Sequence, residues 1–365
     1  MNRFILLMAA MFLFLDSTAQ NLDRYADSIR IKNQIPELAY ATVTLSGISS
    51  GVIGFHRNDL QNKETKAKSS DYFHLGSNTK AITAFIAAKL VQDKKIQWKT
   101  KVFSLFPEWK KESKPVYYTI TLEDLLSHRA KVRPFTDGSE FKQLPKFTGN
   151  KAEQRKQFSR NLLHLAPVSL AGKTYSYSNA GYSLAAVMLE KASGKTWEQL
   201  VEQTLSGQLN LNYKFGWPNK YGPDQPWGHW IEKNTLKALP PSLDYDLALA
   251  EPAGDISMPI ADYARFIQYN LEGLNGKSNL LKAEAYRFLH YGKNEYAMGW
   301  ANANLKGKHL SQHAGSAGTF YCYTLVDKDK KAAYIVMANT ATPEAQNGLF
   351  ELLGTMRKKQ EQSSR

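Results

Sequence analysis

A chain of 365 residues, 43% hydrophobic and 22% charged, is long enough to bury a large core, and its composition excludes general disorder. The formal charge is +14 and the pI near 9.5, but the lysines are scattered and no compact basic block or aromatic-basic motif marks a nucleic-acid partner; the charge fits an anionic envelope, an acidic substrate or a merely solvated basic surface. Cys322 is the only cysteine, which excludes an internal disulfide and a cysteine zinc cluster; within the alternating FYCYTLV it reads as a buried strand thiol.

The chain opens MNRFILLMAAMFLFLDSTAQ, with Arg3 ahead of an apolar run from Phe4 to Leu15 and small residues at Ser17, Thr18 and Ala19. This is the pattern of a secretory signal cleaved near Ala19. The apolar run spans only about 18 Å as a helix, too short for roughly 30 Å of hydrocarbon. The expectation is an exported protein, periplasmic or secreted, with residues 1–19 removed and no transmembrane segment in the mature chain.

Beyond it, 21–32 is a short charged helix, and LAYATVTLSGISSGVIGFHRND reads as two strands around a Gly/Ser turn. A helix of about 15 residues begins near Ser77, and its body AITAFIAAKLV is apolar all round, so it belongs at the centre of a domain. From about 95 to 250 the pattern is mostly helical. It includes TLEDLLSH capped by Thr121, NAGYSLAAVMLEKASG ending at Gly194, and a capping box of Thr196 with Gln199. WPNKYGPDQPWGHW, dense in Pro, Gly and Trp, suits a packed irregular loop. Strands return in SQHAGSAGTFYCYTLV and AAYIVMANT around a DKDKK turn. A last helix runs from Pro343 to about Arg357, and 358–365 reads as a disordered tail. Strands at both ends with helices between give an α+β fold. Its antiparallel sheet comes from both termini, in a lobe of about 20–90 and 255–357, and a mostly helical lobe of about 91–254 is inserted, with a cleft between the two.

HLGSNTK at 74–80 places Ser77 three residues before Lys80, on one face of a helix. A serine hydroxyl needs a base, and a lysine near pKa 10.4 serves only when burial and a helix N-terminus favour its neutral form. The spacing alone is weak: Ser139-Glu140-Phe141-Lys142 repeats it by accident in a polar stretch, and a bare helix cap explains Ser77 about equally well. Tyr177-Ser178-Asn179 offers a phenol and an amide at a loop-to-helix junction, although Asn179 is also a good cap. His313-Ala314-Gly315-Ser316-Ala317-Gly318 places glycines at the start of a strand, where a ligand can approach the backbone.

In this order and spacing the three stretches resemble the serine β-lactamase and penicillin-binding-protein superfamily, in particular its class C-like branch of esterases, D-amino-acid peptidases and β-lactamases. LLSH at 125–128, EPAGDIS at 251–257 and YAMGW at 296–300 support the resemblance. It implies a β-lactamase/transpeptidase-like fold over nearly the whole mature chain and a serine hydrolase needing no metal or organic cofactor. Ser77 would form the acyl-enzyme, Lys80 would take or relay its proton, and Tyr177 would act with Lys80 as general base or acid. Asn179 would bond Lys80 or the substrate amide. The backbone N–H groups of Ser77 and Ser316, beside Gly315, would form the oxyanion hole. His313 would orient a substrate carboxylate or the tyrosine.

The departures bear on substrate. HAG stands where many members carry Lys-Thr-Gly, which removes a fixed charge and a hydroxyl that hold the carboxylate of β-lactams and D-Ala-D-Ala ends. An ester or amide, small or peptide-like, becomes the expected substrate. D-alanyl carboxypeptidase or β-lactamase activity is the alternative, and an inactive protein binding envelope fragments is a rival of another class. SHRAKV replaces a small glycine-containing turn, and His128 reads as a satisfied helix-end histidine. His229 and Glu251 read as structural.

Overall fold

The computed structural model describes residues 22–243, 247–305 and 308–363; the expected signal segment lies outside them. After a helix over 22–32, strands β1 (Glu37–Thr44) and β2 (Ile48–Gly54) form a hairpin, and β3 (Tyr72–His74) leads to Ser77. The middle of the chain contributes β4 (Lys214–Phe215), the hairpin β5 (His229–Glu232) and β6 (Thr235–Ala238), and β7 (Ile256–Pro259). The last third supplies β8 (Ala301–Leu305), β9 (Lys308–Ser316), β10 (Tyr321–Asp327) and β11 (Ala332–Ala338).

The main sheet runs β2-β1-β11-β10-β9-β8, antiparallel throughout. The two ends of the chain meet at the β1–β11 pairing, with Leu38 opposite Ala338 and Thr44 opposite Ala332. Both faces of these strands are covered, so their sequences are nearly continuous apolar runs. The period of two still decides which core each residue joins. Leu38, Tyr40, Tyr334 and Val336 pack with Leu349 and Leu352 of helix Pro343–Ser363, whereas Ala39, Ala41, Val43, Ile335 and Met337 join the larger core with Ile260 and Ile267.

The larger core is organised around helix Thr79–Gln92, buried on nearly every side as its composition requires. Its first turn is preceded by a 3-10 turn, Gly76–Asn78. A second sheet, β3-β7-β4, pairs Phe73 with Met258 and His74 with Ser257, which brings EPAGDIS against HLGS. The expected caps form: Thr121 with Asp124, Thr196 with Gln199, and Gly194 left-handed at φ 73°.

Four local expectations need correction. The C-terminal tail is helical to Ser363: its Lys, Gln and Glu residues are good helix formers, and Arg357 and Lys330 pair with Asp327 and Glu361 across to the β10–β11 turn. The Pro/Trp-rich segment ends in the β5–β6 hairpin, whose turn residues Lys233 and Asn234 both take positive φ. His313 lies near the end of β9 and not at its start, because Leu310, Ser311 and Gln312 already pair with β10. Ser178, not Asn179, caps helix Asn179–Ser193, its hydroxyl accepting from the Gly181 N–H at 2.9 Å.

Candidate active site

The positive φ of Gly76, 51°, turns the chain sharply out of β3 and sets Ser77 at the head of helix Thr79–Gln92. A side chain at Gly76 would meet the Ser316 nitrogen at 2.5 Å, and one at Gly315 would meet the Leu75 carbonyl oxygen at 2.0 Å and the Ser77 nitrogen at 2.7 Å. Two glycines facing each other therefore let the end of β9 lie directly on the serine turn. This sets the Ser77 and Ser316 backbone nitrogens beside the Gly76–Gly315 contact.

Ser77 is partly exposed, whereas Lys80 is 0% exposed. The Lys80 Nζ lies 2.7 Å from Asn179 Oδ1, 2.9 Å from the Ala253 carbonyl and 3.1 Å from Ser77 Oγ. Burial pushes its pKa well below the ordinary lysine value. In the neutral amine the two N–H bonds go to the two carbonyl acceptors, and the lone pair is left facing the Ser77 hydroxyl. The arrangement can therefore take a proton from Ser77. Asn179 is held in turn by donating from Nδ2 to the Phe135 carbonyl at 3.0 Å. Ser178 takes the cap, so the Asn179 amide is free for this role.

The Tyr177 ring lies over Lys80, centroid to Nζ 4.6 Å. Burial raises its pKa, and the contact with the Ser77 side chain opposes this only partly, so near neutrality the phenol carries its proton and can donate it. His128, just past helix Leu122–Leu126, is more than a helix-end residue. Its Nδ1 accepts the Ser178 N–H at 3.1 Å and its ring centroid is 4.3 Å from that of Tyr177. It thus pins the strand of chain on which Tyr177 sits. His128 and Lys131 take positive φ, 62° and 59°, in the turn where a glycine would adopt it without strain.

His313 is 4% exposed, and both of its nitrogens are occupied: Nδ1 donates to the Ala314 carbonyl at 2.8 Å and Nε2 accepts from the Tyr296 hydroxyl at 2.8 Å. Burial above all pushes its pKa down to about 3, and any proton on the neighbouring Lys80 would push it the same way. It is thus a neutral ring tied to a tyrosine. Tyr296, in YAMGW, had no role assigned from sequence. The Arg129 guanidinium holds the Tyr296 carbonyl at 2.7 Å, and Gly299 at φ 80° lets the same loop press on the Lys80 backbone.

Ser77, Asn179 and Ser316 line one cavity of about 560 Å³. Its other walls are mainly apolar, including Phe135, Phe141, Leu247, Leu249 and Ala317, and among the described lining residues only Asp137 is charged. The alternative pair is not part of it: Ser139 is on an exposed turn, its N–H bound by Asp137 at 2.7 Å. His229, with Nδ1 at the Asn339 carbonyl, and Glu251, paired with Arg155, lie in structural networks as expected. All seven sequence-selected residues, Ser77, Lys80, Tyr177, Asn179, His313, Gly315 and Ser316, converge. Reasoning on sequence missed Tyr296, the Ala253 carbonyl and the positioning contact of His128; YAMGW, EPAGDIS and LLSH were the available signals.

A family model described as Beta-lactamase matches residues 23–352. Protein flp of Staphylococcus aureus strain N315 is 21% identical over 335 residues, 89% of this chain and 64% of that protein. The unguisins hydrolase ungD' of Aspergillus campestris is 30% identical over 195 residues, 50% of this chain and 32% of that protein. The chain thus spans less than two thirds of these relatives. The fold is similar to the octameric penicillin-binding protein homologue from Pyrococcus abyssi, with TM-score 0.73, 17% identity and coverage of 92% of this chain and 77% of that one. It is similar also to SurE, with TM-score 0.74, 17% identity and coverage of 96% and 77%.

Proposed function

The chain belongs to the β-lactamase family, and from that premise and the geometry at Ser77 we propose a serine hydrolase that cleaves an ester or amide through an acyl-enzyme. The observation that carries this reading is the buried Lys80, held by two carbonyls with its third direction on Ser77 Oγ. In the proposed cycle, Ser77 Oγ attacks the substrate carbonyl carbon as its proton passes to Lys80. The oxygen of the tetrahedral intermediate is held by the Ser77 and Ser316 N–H groups. The Tyr177 hydroxyl gives its proton to the departing oxygen or nitrogen and is restored from Lys80. Water then repeats the sequence on the acyl-enzyme and frees Ser77.

The substrate reading rests on His313. A neutral imidazole with both nitrogens engaged offers no charge to a carboxylate, and the described cavity wall contains no cation. This favours neutral ester or amide substrates with an apolar acyl group over D-Ala-D-Ala peptides and β-lactams. We place the protein outside the cytoplasm, on the strength of its first nineteen residues; no described helix is long and apolar enough to cross a membrane.

The test is intact-mass spectrometry with wild type and Ser77→Ala, using p-nitrophenyl esters of increasing chain length, a chromogenic cephalosporin and a D-Ala-D-Ala peptide. A covalent acyl adduct and ester turnover in wild type alone support the reading; turnover untouched by Ser77→Ala overturns it. Preferential cleavage of the carboxylate-bearing substrates would overturn the assignment of substrate. Adduct formation without turnover on any of them would point to a binding protein.

Tyr177→Phe separates acid catalysis from positioning. Loss of the phenol slows acylation by about 10²-fold for alkyl esters and amides, whose leaving groups need a proton, and much less for p-nitrophenyl esters. A uniform loss across leaving groups would contradict the role of proton donor.

A further inference from the structure

Away from Ser77, three side chains from successive segments meet inside the protein: Glu37 opening β1, His56 just beyond β2, and Asp71 just before β3. Each is 0% exposed, and one donor atom of each lies within 4.8 Å of the others. Asp71 Oδ2 accepts from His56 Nε2 at 2.9 Å and from the Lys68 N–H at 2.5 Å. Since a carboxylate only accepts there, His56 donates from Nε2. Both Glu37 oxygens, Asp71 Oδ1 and His56 Nδ1 are buried without a hydrogen-bond partner.

Two carboxylates in one dry space repel each other, and the contact found here between His56 and Asp71 is a hydrogen bond. Unpaired buried anionic oxygens are strongly unfavourable unless a positive centre lies between them. We propose that Glu37, His56 and Asp71 form a structural site for one divalent first-row cation, with Zn²⁺ the first candidate. One imidazole nitrogen and two carboxylate oxygens are donors that zinc accepts at about 2.0–2.2 Å, and the charge of the ion matches that of the two carboxylates.

The site would tie the start of β1 and the end of β2 to the strand that runs into Ser77. Asn339 already bridges the same segments, accepting the Glu37 N–H at 2.8 Å and donating to the His56 carbonyl at 3.1 Å. Complete burial gives substrate no access, so the ion's role is structural, and it is captured as the chain folds. The competing occupant is a proton shared by the two carboxylates: burial, the Asp71 charge and a side-chain hydrogen bond between Glu37 and Asp71 push Glu37 upward in pKa, and such a proton would give the Glu37 oxygens their partner.

Refolding distinguishes the two. The full chain is unfolded, stripped of metal, and refolded with ZnCl₂, with MnCl₂ or with EDTA; metal content is then read by mass spectrometry after gel filtration, and melting temperature by calorimetry. The site predicts close to one equivalent of zinc or manganese per chain, and an EDTA-refolded protein melting at least about 5 °C lower. Glu37→Gln and Asp71→Asn should retain none and melt alike under all refolding conditions. Substoichiometric metal in every refolding, or equal melting temperatures for wild type with and without metal, overturns the proposal. So does Glu37→Gln melting as high as metal-loaded wild type, because the glutamine amide replaces a shared proton by donating to Asp71. Should a variant fail to fold, the metal content of wild type decides.

Discussion

Lys80→Met slows acylation of Ser77 by about 10³-fold, the middle of the range for loss of a general base, while the protein still unfolds cooperatively. Methionine fills the buried space of the lysine stem but offers no lone pair to the Ser77 hydroxyl. It also leaves Asn179 Oδ1 and the Ala253 carbonyl without their donor, which costs about 1–3 kcal/mol for each unsatisfied acceptor. The melting temperature therefore falls together with activity, and the two are read separately, by calorimetry and by single-turnover acylation of a p-nitrophenyl ester. Acylation at more than a tenth of the wild-type rate would remove Lys80 from the mechanism.

The pH dependence carries the same test in wild type. An ordinary lysine at pKa about 10.4 is neutral in roughly one molecule in 2,500 at pH 7, so its acylation rate would rise tenfold per pH unit up to that value. Burial holds Lys80 well below it, so the rise should be complete at lower pH and the profile flat through pH 9 and 10. The stability sign follows from the same shift. The unfolded chain binds a proton that the folded chain rejects between the two pKa values, so stability rises with pH across that window and is lost as pH falls through it. Lys80→Met lacks this dependence, and its deficit against wild type should shrink toward acid pH.

Gly315→Ala should be the most damaging single methyl addition at the site. The new Cβ would sit 2.0 Å from the Leu75 carbonyl oxygen and 2.7 Å from the Ser77 nitrogen, both backbone atoms that no rotamer change can move. Either β9 retreats or the serine turn does, and in both cases the proposed pairing of the Ser77 and Ser316 N–H groups is lost. Loss of one oxyanion donor costs about 10²–10³-fold in kcat, so ester turnover should fall at least that far, with melting lowered as well. Gly354→Ala, on helix Pro343–Ser363 with open space around the added methyl, is the control and should leave turnover unchanged. Near-normal activity in Gly315→Ala would contradict the oxyanion geometry.

Much of the fold was legible because its signals are local. Short β-branched and aromatic apolar runs such as ELAYATVT and AAYIVMA mark strands, and the all-apolar AITAFIAAKLV marks a central helix. The β5–β6 hairpin escaped because its turn, Lys233-Asn234, takes positive φ without a glycine to announce it. Ser139 and Ser77 shared a spacing, and only surroundings separated them: one lies on an exposed turn, the other between a buried lysine and two facing glycines.

The sequence by itself determined the α+β class, the order of the elements and the residue types of the site, because hydrophobic period, caps and motif spacing act over a few residues along the chain. The tertiary structure alone decided what those residues can do. Whether Lys80 is desolvated depends on Ala253, 173 residues away. Whether His313 can carry charge depends on Tyr296 and on burial. Whether Glu37, His56 and Asp71 meet depends on three segments closing on one another. Proton affinity and charge compensation depend on distances in space, and those are set when the chain is packed.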